Sequence, residues 1–159
     1  MWDAIVVGAR AAGSPTAMLL ARDGHRVLLV DRAGFPSDTL STHYIHQPGV
    51  ARLARWGLLD RIAASGCPPV RTTTLDLGPF ALTAPVAPAG TVADAYAPRR
   101  TILDTILVEA AAAAGAEVRT GFAVEELLFE DGAVVGIRGG GCVERDGRID
   151  ACGHCRGAG

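Results

Sequence analysis

The pattern of apolar and polar positions in the first 31 residues predicts a strand, a helix and a second strand. Residues 3–7 (DAIVV) form a short, mostly β-branched run that ends at Gly8, as in a buried parallel strand. Apolar residues then recur at helical spacing from Ser14, which we expect to cap the helix. Residues 26–30 (RVLLV) form the second apolar run, directly before Asp31. Together they indicate a β-α-β unit of about 30 residues.

The middle of the chain alternates between irregular and helical patterns. Residues 32–49 (RAGFPSDTLSTHYIHQPG) have no period and are rich in turn and hydroxyl residues, which is typical of a functional or disordered loop. Residues 50–65 (VARLARWGLLDRIAAS) predict one helix, whose apolar face consists of Val50, Leu53, Leu58 and Ile62. Residues 69–96 hold short apolar runs among Pro, Thr and Gly, and we expect this segment to be rich in β-strand.

The last predicted elements are a helix and strands. Residues 98–118 (PRRTILDTILVEAAAAAGAEV) carry the clearest helical pattern of the chain, which Gly115 closes, and a strand is expected at 116–120. Asp131-Gly132 between two apolar runs predicts a β-hairpin. From residue 142 the pattern disappears, and we expect residues 142–159 to be an irregular tail.

Composition narrows the class of protein. With 159 residues, 49% hydrophobic and 20% charged, the chain is typical of one globular domain. A net charge of −2 with mixed signs does not favour nucleic acid as a partner. No apolar run approaches the ~20 residues of a membrane-spanning helix, and the N-terminus lacks the basic region of a signal peptide. We therefore expect a cytoplasmic protein with a small-molecule substrate and no integral membrane segment.

Three of the four cysteines crowd the C-terminal end, where Cys142, Cys152 and Cys155 lie near His154. Structural zinc usually needs four ligands from two well-spaced pairs, and only one CxxC pair is present. We therefore predict no metal site.

The turn between the first strand and the first helix carries the main candidate for binding chemistry. Gly8 permits a tight turn, Gly13 permits close packing of helix on strand, and the helix N-terminus favours an anion. Asp31 follows Gly8 by 23 residues, close to the separation of ~20 expected for a carboxylate that binds ribose. Arg10 stands where a second glycine is usual, and its side chain either points outward or lies beside a phosphate. These features favour an adenine dinucleotide without separating FAD from NAD.

Residues 3–45 and the following "PGVARLARWGLLDRI" strongly resemble FAD-dependent oxidoreductases of the geranylgeranyl reductase and p-hydroxybenzoate hydroxylase type (group A flavin monooxygenases). In a subset of these enzymes "GAR" with a downstream "AG" replaces the glycine-rich motif. The similarity continues through "APRRTILDTILVEAAAAAGAEVRTGFAVEELLFEDGAVVGIRG", to about residue 141. It implies an α/β, Rossmann-like, glutathione-reductase-type FAD-binding fold with inserted β-strands.

The resemblance also implies a set of FAD-binding residues, in which the glycine turn contacts the pyrophosphate, the end of the second strand contacts the adenosine ribose, and the loop lies on the flavin side. The set is Gly8, Ala9, Arg10, Ala12, Gly13, Asp31, Arg32, Ser41, Thr42, Arg100 and Val124. His43 is a weaker candidate for an acid or base, because an unperturbed histidine titrates near neutrality. No catalytic residue is otherwise assigned, since such enzymes perform their chemistry largely on the cofactor.

The chain departs from the family after the predicted hairpin. The resemblance implies an apolar strand and a second motif, G-A-D-G, but here "RIDACG" follows, and the fold is incomplete at its C-terminal end. We expect residues 1–141 to be a partial FAD-binding domain, in which 69–96 contributes to a substrate-side sheet. Our hypothesis is a truncated or frame-shifted product that leaves a sheet edge uncovered.

The predicted function is the FAD-binding portion of a flavin-dependent oxidoreductase. The expected reaction is a monooxygenation or a double-bond reduction of a small or lipid-like organic substrate, with NAD(P)H as electron donor in the intact enzyme. Two alternatives stay open, a noncatalytic nucleotide-binding remnant and a small NAD-binding dehydrogenase. The second is disfavoured because a predicted hairpin stands where further β-α units are expected.

Overall fold

The structure is a computed structural model that describes residues 2–140, 142–145 and 148–151. The chain forms two compact units, Met1–Ser37 with Leu107–Gly159, and Asp38–Ile106. The helices are α1 (Gly13–Arg22), α2 (Gln47–Arg55), α3 (Leu59–Ala64) and α4 (Arg100–Ala113). The strands are β1 (Ala4–Val7), β2 (Val27–Asp31), β3 (Pro69–Val70), β4 (Thr72–Asp76), β5 (Ala81–Pro85), β6 (Ala95–Tyr96), β7 (Glu117–Thr120), β8 (Val124–Glu130), β9 (Ala133–Gly139), β10 (Cys142–Arg145) and β11 (Arg148–Ala151).

The first unit contains the predicted β-α-β segment, which the structure confirms. Strands β1, β2 and β7 form a parallel sheet in the order β1-β2-β7, and α1 packs against β1 and β2. All five residues of β2 are buried because this strand lies in the middle of the sheet. Its apolar run without alternation is the pattern of a strand covered on both faces.

The prediction that Ser14 caps α1 is wrong. The helix begins at Gly13, and Ala12 is its N-cap without a side-chain hydrogen bond. The Ser14 hydroxyl is fully buried and donates to the carbonyl oxygen of Ala9 at 2.8 Å. Ser14 therefore stabilises the turn before the helix, and does not bind the free N–H groups of the helix end.

An antiparallel sheet covers one face of the parallel sheet in the same unit. Its strand order is β11-β10-β9-β8, and the β8–β9 turn has left-handed backbone at Asp131 (φ 50°) and Gly132 (φ 79°), as predicted for this hairpin. Leu28 and Val30 of β2 pack with Ile137 of β9 in a buried cluster. Alternate side chains of β2 therefore join the two sheets in one core.

The structure places two strands in a segment that the sequence analysis expected to be irregular. Strands β10 and β11 pair antiparallel from Cys142 with Ala151 to Arg145 with Arg148. The segment is polar, which does not prevent pairing in an antiparallel sheet with a solvated face, and β11 lies at the edge of the sheet. The expectation of irregular structure is wrong for these eight residues. Residues 152–159, with the CxxC pair, lie outside the described residues.

The second unit begins with two helices where the sequence predicted one. Helix α2 ends at Arg55 and α3 begins at Leu59, because Gly57 adopts left-handed backbone (φ 78°) that terminates α2. The predicted apolar face is nevertheless confirmed, since Val50, Leu53, Leu58 and Ile62 are all buried. The apolar period thus predicted burial correctly but did not reveal the break.

Residues 69–96 contain four short strands, of which β3 pairs with β6 and β4 pairs with β5. All ten residues of the β4–β5 hairpin are exposed. Because Leu75 pairs with Leu82, and Leu77 and Phe80 follow at the turn, these four side chains share one face, each 48–56% exposed. We call this surface the apolar hairpin face.

Candidate nucleotide-binding site

The turn between β1 and α1 requires glycine at two positions. Gly8 follows the carboxyl end of β1 with left-handed backbone (φ 98°), which disfavours any side chain. A Cβ atom on Gly13 would lie 1.7 Å from the carbonyl oxygen of Gly8, a direct clash with backbone. The two glycines therefore hold the helix N-terminus close to the end of the strand.

Asp31 ties this turn to the end of β2. Its carboxylate is 8% exposed and accepts hydrogen bonds from the N–H groups of Ala9 at 2.7 Å (Oδ2) and Ala33 at 2.8 Å (Oδ1). Because β1 and β2 are parallel, both carboxyl ends lie at the same edge of the sheet, where ligands bind in open α/β sheets. The carboxylate therefore positions the glycine turn, and each oxygen retains a lone pair for another donor.

A cavity of about 340 Å³ opens at this edge of the sheet. Its lining combines the turn, the end of β2 and the start of β8: Val7, Gly8, Arg10, Asp31, Arg32, Phe122, Ala123 and Val124. Its volume lies in the range of about 300–1,000 Å³ typical of small-molecule sites. The first turn of α1 carries no acidic residue, so the positive end of the helix is available to an anion.

Arg10 faces this cavity while it is held by the segment after β2. Its guanidinium lies over the Phe35 ring, 5.4 Å from the ring centroid, and its Nη2 donates to the Ser37 hydroxyl at 2.9 Å. The cation–π contact and the hydrogen bond together fix the Arg10 side chain. Arg10 therefore lines the cavity, and its proposed contact with a phosphate stays a prediction.

Arg100 has an anionic partner within the chain. Its Nε and Nη2 both donate to Oδ1 of Asp104, at 3.0 and 2.9 Å, across one turn of α4. Asp104 is fully buried and the Arg100 side chain is 14% exposed. A cation at a helix N-terminus is unfavourable by itself, and this carboxylate compensates it.

The loop before α2 carries the other residues implied by the resemblance. The Ser41 hydroxyl accepts a hydrogen bond from the His43 N–H at 3.1 Å, and His43 adopts left-handed backbone (φ 61°). Hydrogen bonding to the Arg99 guanidinium holds the pKa of Asp38 below its usual value. Among the described residues, His43 Nδ1 is a buried side-chain atom without a hydrogen-bond partner.

Gln47, which sequence reasoning missed, also has a buried side-chain nitrogen without a hydrogen-bond partner among the described residues. Gln47 is 6% exposed, and its Nε2 has no hydrogen-bond partner within the described part of the chain. A buried polar group without a partner costs about 1–3 kcal/mol, so a native structure usually supplies one. The signal was available in the sequence, because Gln47 precedes Val50 and Leu53 at the spacing of the buried face of α2.

The structure thus divides the predicted site residues into three groups. Gly8, Arg10, Asp31, Arg32 and Val124 line one cavity. Ala9, Ala12 and Gly13 build the turn beside it, and the buried Ala9 directs its N–H to Asp31. Ser41, Thr42, His43 and Arg100 belong to the second unit.

The remaining predictions concern metals and membranes. Within the described residues, no group of three or more His, Cys, Asp or Glu side chains is arranged to hold a metal ion. The Cys142, Cys152, His154 and Cys155 set lies outside the side chains that the structure describes. No helix in the described part of the chain is long and apolar enough to cross a membrane.

Comparison with known proteins defines the family. A model of the family described as "FAD binding domain" matches residues 1–150. The chain therefore belongs to this family, and its cofactor is FAD. Protein FixC of Escherichia coli O157:H7 is 34% identical over 152 residues, which cover 90% of this chain and 34% of FixC. The chain spans about a third of the length of the curated relatives it matches.

Solved structures show the same fold. The myxobacterial chondrochloren halogenase CndH, a FAD-dependent halogenase, is 28% identical with a TM-score of 0.78, over 93% of this chain and 34% of that one. A geranylgeranyl bacteriochlorophyll reductase-like protein from Thermoplasma acidophilum is 22% identical with a TM-score of 0.71, over 93% and 36%. The predicted Rossmann-like FAD-binding fold, incomplete relative to these proteins, and the predicted superfamily are both confirmed.

Proposed function

We propose that this chain is the FAD-binding portion of a flavin-dependent oxidoreductase, and that the cavity at the carboxyl ends of β1 and β2 holds the adenosine half of FAD. The observation that carries the proposal is the buried Asp31 carboxylate, which lies in the cavity wall beside the glycine turn. A carboxylate at this position accepts hydrogen bonds from ribose hydroxyls and repels a 2′-phosphate.

In this proposal the residues around Asp31 contact different parts of FAD. Asp31 receives the ribose, while Arg32 and Val124 border the adenosine. The N–H groups at the start of α1 and the Arg10 guanidinium face the pyrophosphate, because both supply positive charge to a cavity that otherwise holds one carboxylate. Gly8 and Gly13 allow the backbone to approach the phosphates closely.

The second unit would supply the flavin side. We assign this role to Ser41, Thr42 and Arg100, as the resemblance implies, and add Gln47 because its buried Nε2 offers a hydrogen-bond donor. Bound FAD supplies the two-electron redox chemistry, and the protein supplies orientation and electrostatics. His43 is assigned a binding role through its buried Nδ1, with acid or base catalysis as the alternative.

The reaction is proposed from the resemblance stated in the sequence analysis. A monooxygenation or a double-bond reduction of a small or lipid-like organic substrate suits the halogenase and reductase-like relatives, and NAD(P)H is the proposed electron donor. The region 69–96 is proposed to contribute to the substrate side through its apolar hairpin face. Because the chain spans about a third of FixC, a noncatalytic FAD-binding role for this chain alone is the second candidate.

The test is direct. The purified chain is mixed with FAD, excess cofactor is removed, and the visible spectrum and flavin fluorescence are recorded. Retained yellow cofactor with altered fluorescence supports the proposal. Binding of NAD with none of FAD would contradict it. Reduction of the retained flavin by NADPH or NADH then separates a redox-competent domain from a noncatalytic one.

A further inference from the structure

A second cavity lies in the unit formed by residues 38–106, along helix α2. It has a volume of about 370 Å³ and is lined by Pro48, Ala51, Arg52, Arg55 and Ala89. Arg52 and Arg55 occupy the last turn of α2, and the other three lining residues are small or apolar. We call this concave surface the α2 groove. None of its lining residues belongs to the cavity beside Asp31.

The arginines of this unit differ in their partners. Arg71, Arg99 and Arg100 form ion pairs with Asp94, Asp38 and Asp104. Arg52 and Arg55 form no ion pair with any described residue, and both are exposed. The lining of the α2 groove contains no acidic residue. The side-chain charges that line the groove are therefore all positive.

Helix geometry places these two charges together. Residues three apart lie on the same helix surface, and like charges at this spacing repel each other by a few tenths of a kcal/mol, about 0.2–0.5. An anion between the two guanidiniums would replace this repulsion by two attractions. Guanidinium groups match phosphate oxygens in geometry and form charge-assisted hydrogen bonds with them.

We propose that the α2 groove binds the phosphate or pyrophosphate group of a small molecule, through Arg52 and Arg55. The inference rests on the proposed function in one respect, because an oxidoreductase needs a reductant and a nicotinamide dinucleotide presents a pyrophosphate. The cavity beside Asp31 is lined by Arg10 and Arg32 together with the Asp31 carboxylate, whereas the groove is lined by two arginines and no carboxylate. The groove is therefore the better site for a dinucleotide with additional phosphate charge.

The experiment is a calorimetric titration of sodium pyrophosphate into the full chain at low salt, with FAD added beforehand to occupy the cavity beside Asp31, where the proposed function also places a pyrophosphate. Two double variants are compared with the wild type, R52Q/R55Q in the groove and R26Q/R71Q as the control. Both lose two positive charges, and Arg26 and Arg71 are exposed residues outside both cavities. We expect R52Q/R55Q to weaken pyrophosphate binding at least about tenfold and the control to change it less than about twofold. NADH and NADPH are titrated in parallel to identify the source of the phosphate group.

Equal weakening in both variants would overturn the proposal, because it would show a general charge effect. Unchanged binding in R52Q/R55Q, or no measurable pyrophosphate binding in the wild type, would overturn it as well. Circular dichroism of each variant establishes that it is folded. FAD affinity is measured on the same samples and is expected to stay within about twofold. If FAD fails to bind while the groove variant still loses pyrophosphate, the proposed function fails and the groove assignment stands.

Discussion

Two β-segments of this protein have opposite environments. All five residues of β2 are buried between α1 on one face and the antiparallel sheet on the other. All ten residues of β4 and β5 are exposed, and the apolar hairpin face that they form with their turn carries Leu75, Leu77, Phe80 and Leu82. Large apolar side chains therefore occur in both segments, but only those of β2 are buried.

The difference lies in their patterns and in their neighbours. The run VLLVD of β2 has no polar residue before Asp31, as in a strand covered on both faces, whereas TTTLD and ALTAP contain threonines and carry one leucine each. Burial of β2 also fixes Asp31, because the last residue of a rigid strand holds its carboxylate in one place. The proposed cofactor site is therefore built on a fully buried strand, whereas the apolar hairpin face is exposed and free to contact a partner or substrate.

The largest expected effect concerns the glycine turn beside β2. Gly13→Val places a side chain against the Gly8 carbonyl oxygen, which a Cβ atom alone would approach to 1.7 Å. We expect it to destabilise the protein by more than about 4 kcal/mol and to abolish FAD binding. Urea denaturation and flavin retention measure both. Gly34→Val is the control, because no atom lies within 4 Å of its added Cβ. Equal loss in both variants would refute the steric argument.

The contrast between β2 and the β4–β5 hairpin is tested by replacing one leucine in each. Leu29→Ala removes a fully buried side chain from β2 and should cost about 3 kcal/mol of unfolding free energy. Leu82→Ala removes a side chain that is 56% exposed, and should cost less than about 1 kcal/mol. Chemical denaturation of both variants gives the two values. A cost for Leu82→Ala as large as that for Leu29→Ala would mean that the hairpin face is covered in solution.

Replacement of Asp31 separates binding from folding. Asp31→Asn keeps the shape but loses an acceptor for one of two backbone N–H groups, at a cost of about 1–3 kcal/mol. FAD affinity should fall by about tenfold or more, since the ribose also loses a charged acceptor. Asp23→Asn, at the exposed C-cap of α1, is the control and should leave both properties unchanged. Wild-type FAD affinity in Asp31→Asn would show that the carboxylate only positions the turn.

The smallest expected effect concerns the surface ion pair at the other end of β1 and β2. Hydrogen bonds from Arg26 lower the pKa of Asp3 from 3.8 to about 2. Its stabilising contribution is therefore present above pH 3.8 and is lost as the pH falls through about 2. The difference in urea midpoint between wild type and Asp3→Asn should shrink over this range. A difference that is independent of pH would exclude titration of Asp3 as its source.

Much of the fold was predictable because local patterns determined it. The β-α-β unit followed from apolar runs at both sides of a glycine turn. Helical spacing predicted an apolar stripe on α4 of Ile102, Leu103, Ile106, Leu107 and Ala110, of which all but the half-buried Ile102 are buried. The break between α2 and α3 was missed because apolar spacing continued across Gly57. Strands β10 and β11 were missed because their sequences are polar, and their pairing depends on β9, with which β10 pairs, and on each other.

The site was predictable in its residues but less so in its contacts. The sequence indicated Gly8, Gly13 and Asp31, which the structure brings to one edge of the sheet. It did not indicate that the carboxylate binds the Ala9 N–H, because that contact depends on tertiary packing. The Arg100–Asp104 pair is local, at i,i+4 spacing within α4, and was missed although the spacing makes it possible. The lack of a hydrogen-bond partner for the buried Gln47 Nε2, within the described part of the chain, likewise became apparent only from the structure.

The central claim is that FAD binds at the carboxyl ends of β1 and β2, and its most direct test is an amide NMR titration of the labelled chain with FAD. The account predicts that amide resonances of Gly8, Arg10, Arg32 and Val124, which line the cavity, shift or broaden in proportion to bound FAD. The resonances of the β4–β5 turn, around Gly78, should remain in place. Shifts confined to the hairpin, with unchanged resonances around Asp31, would contradict the account.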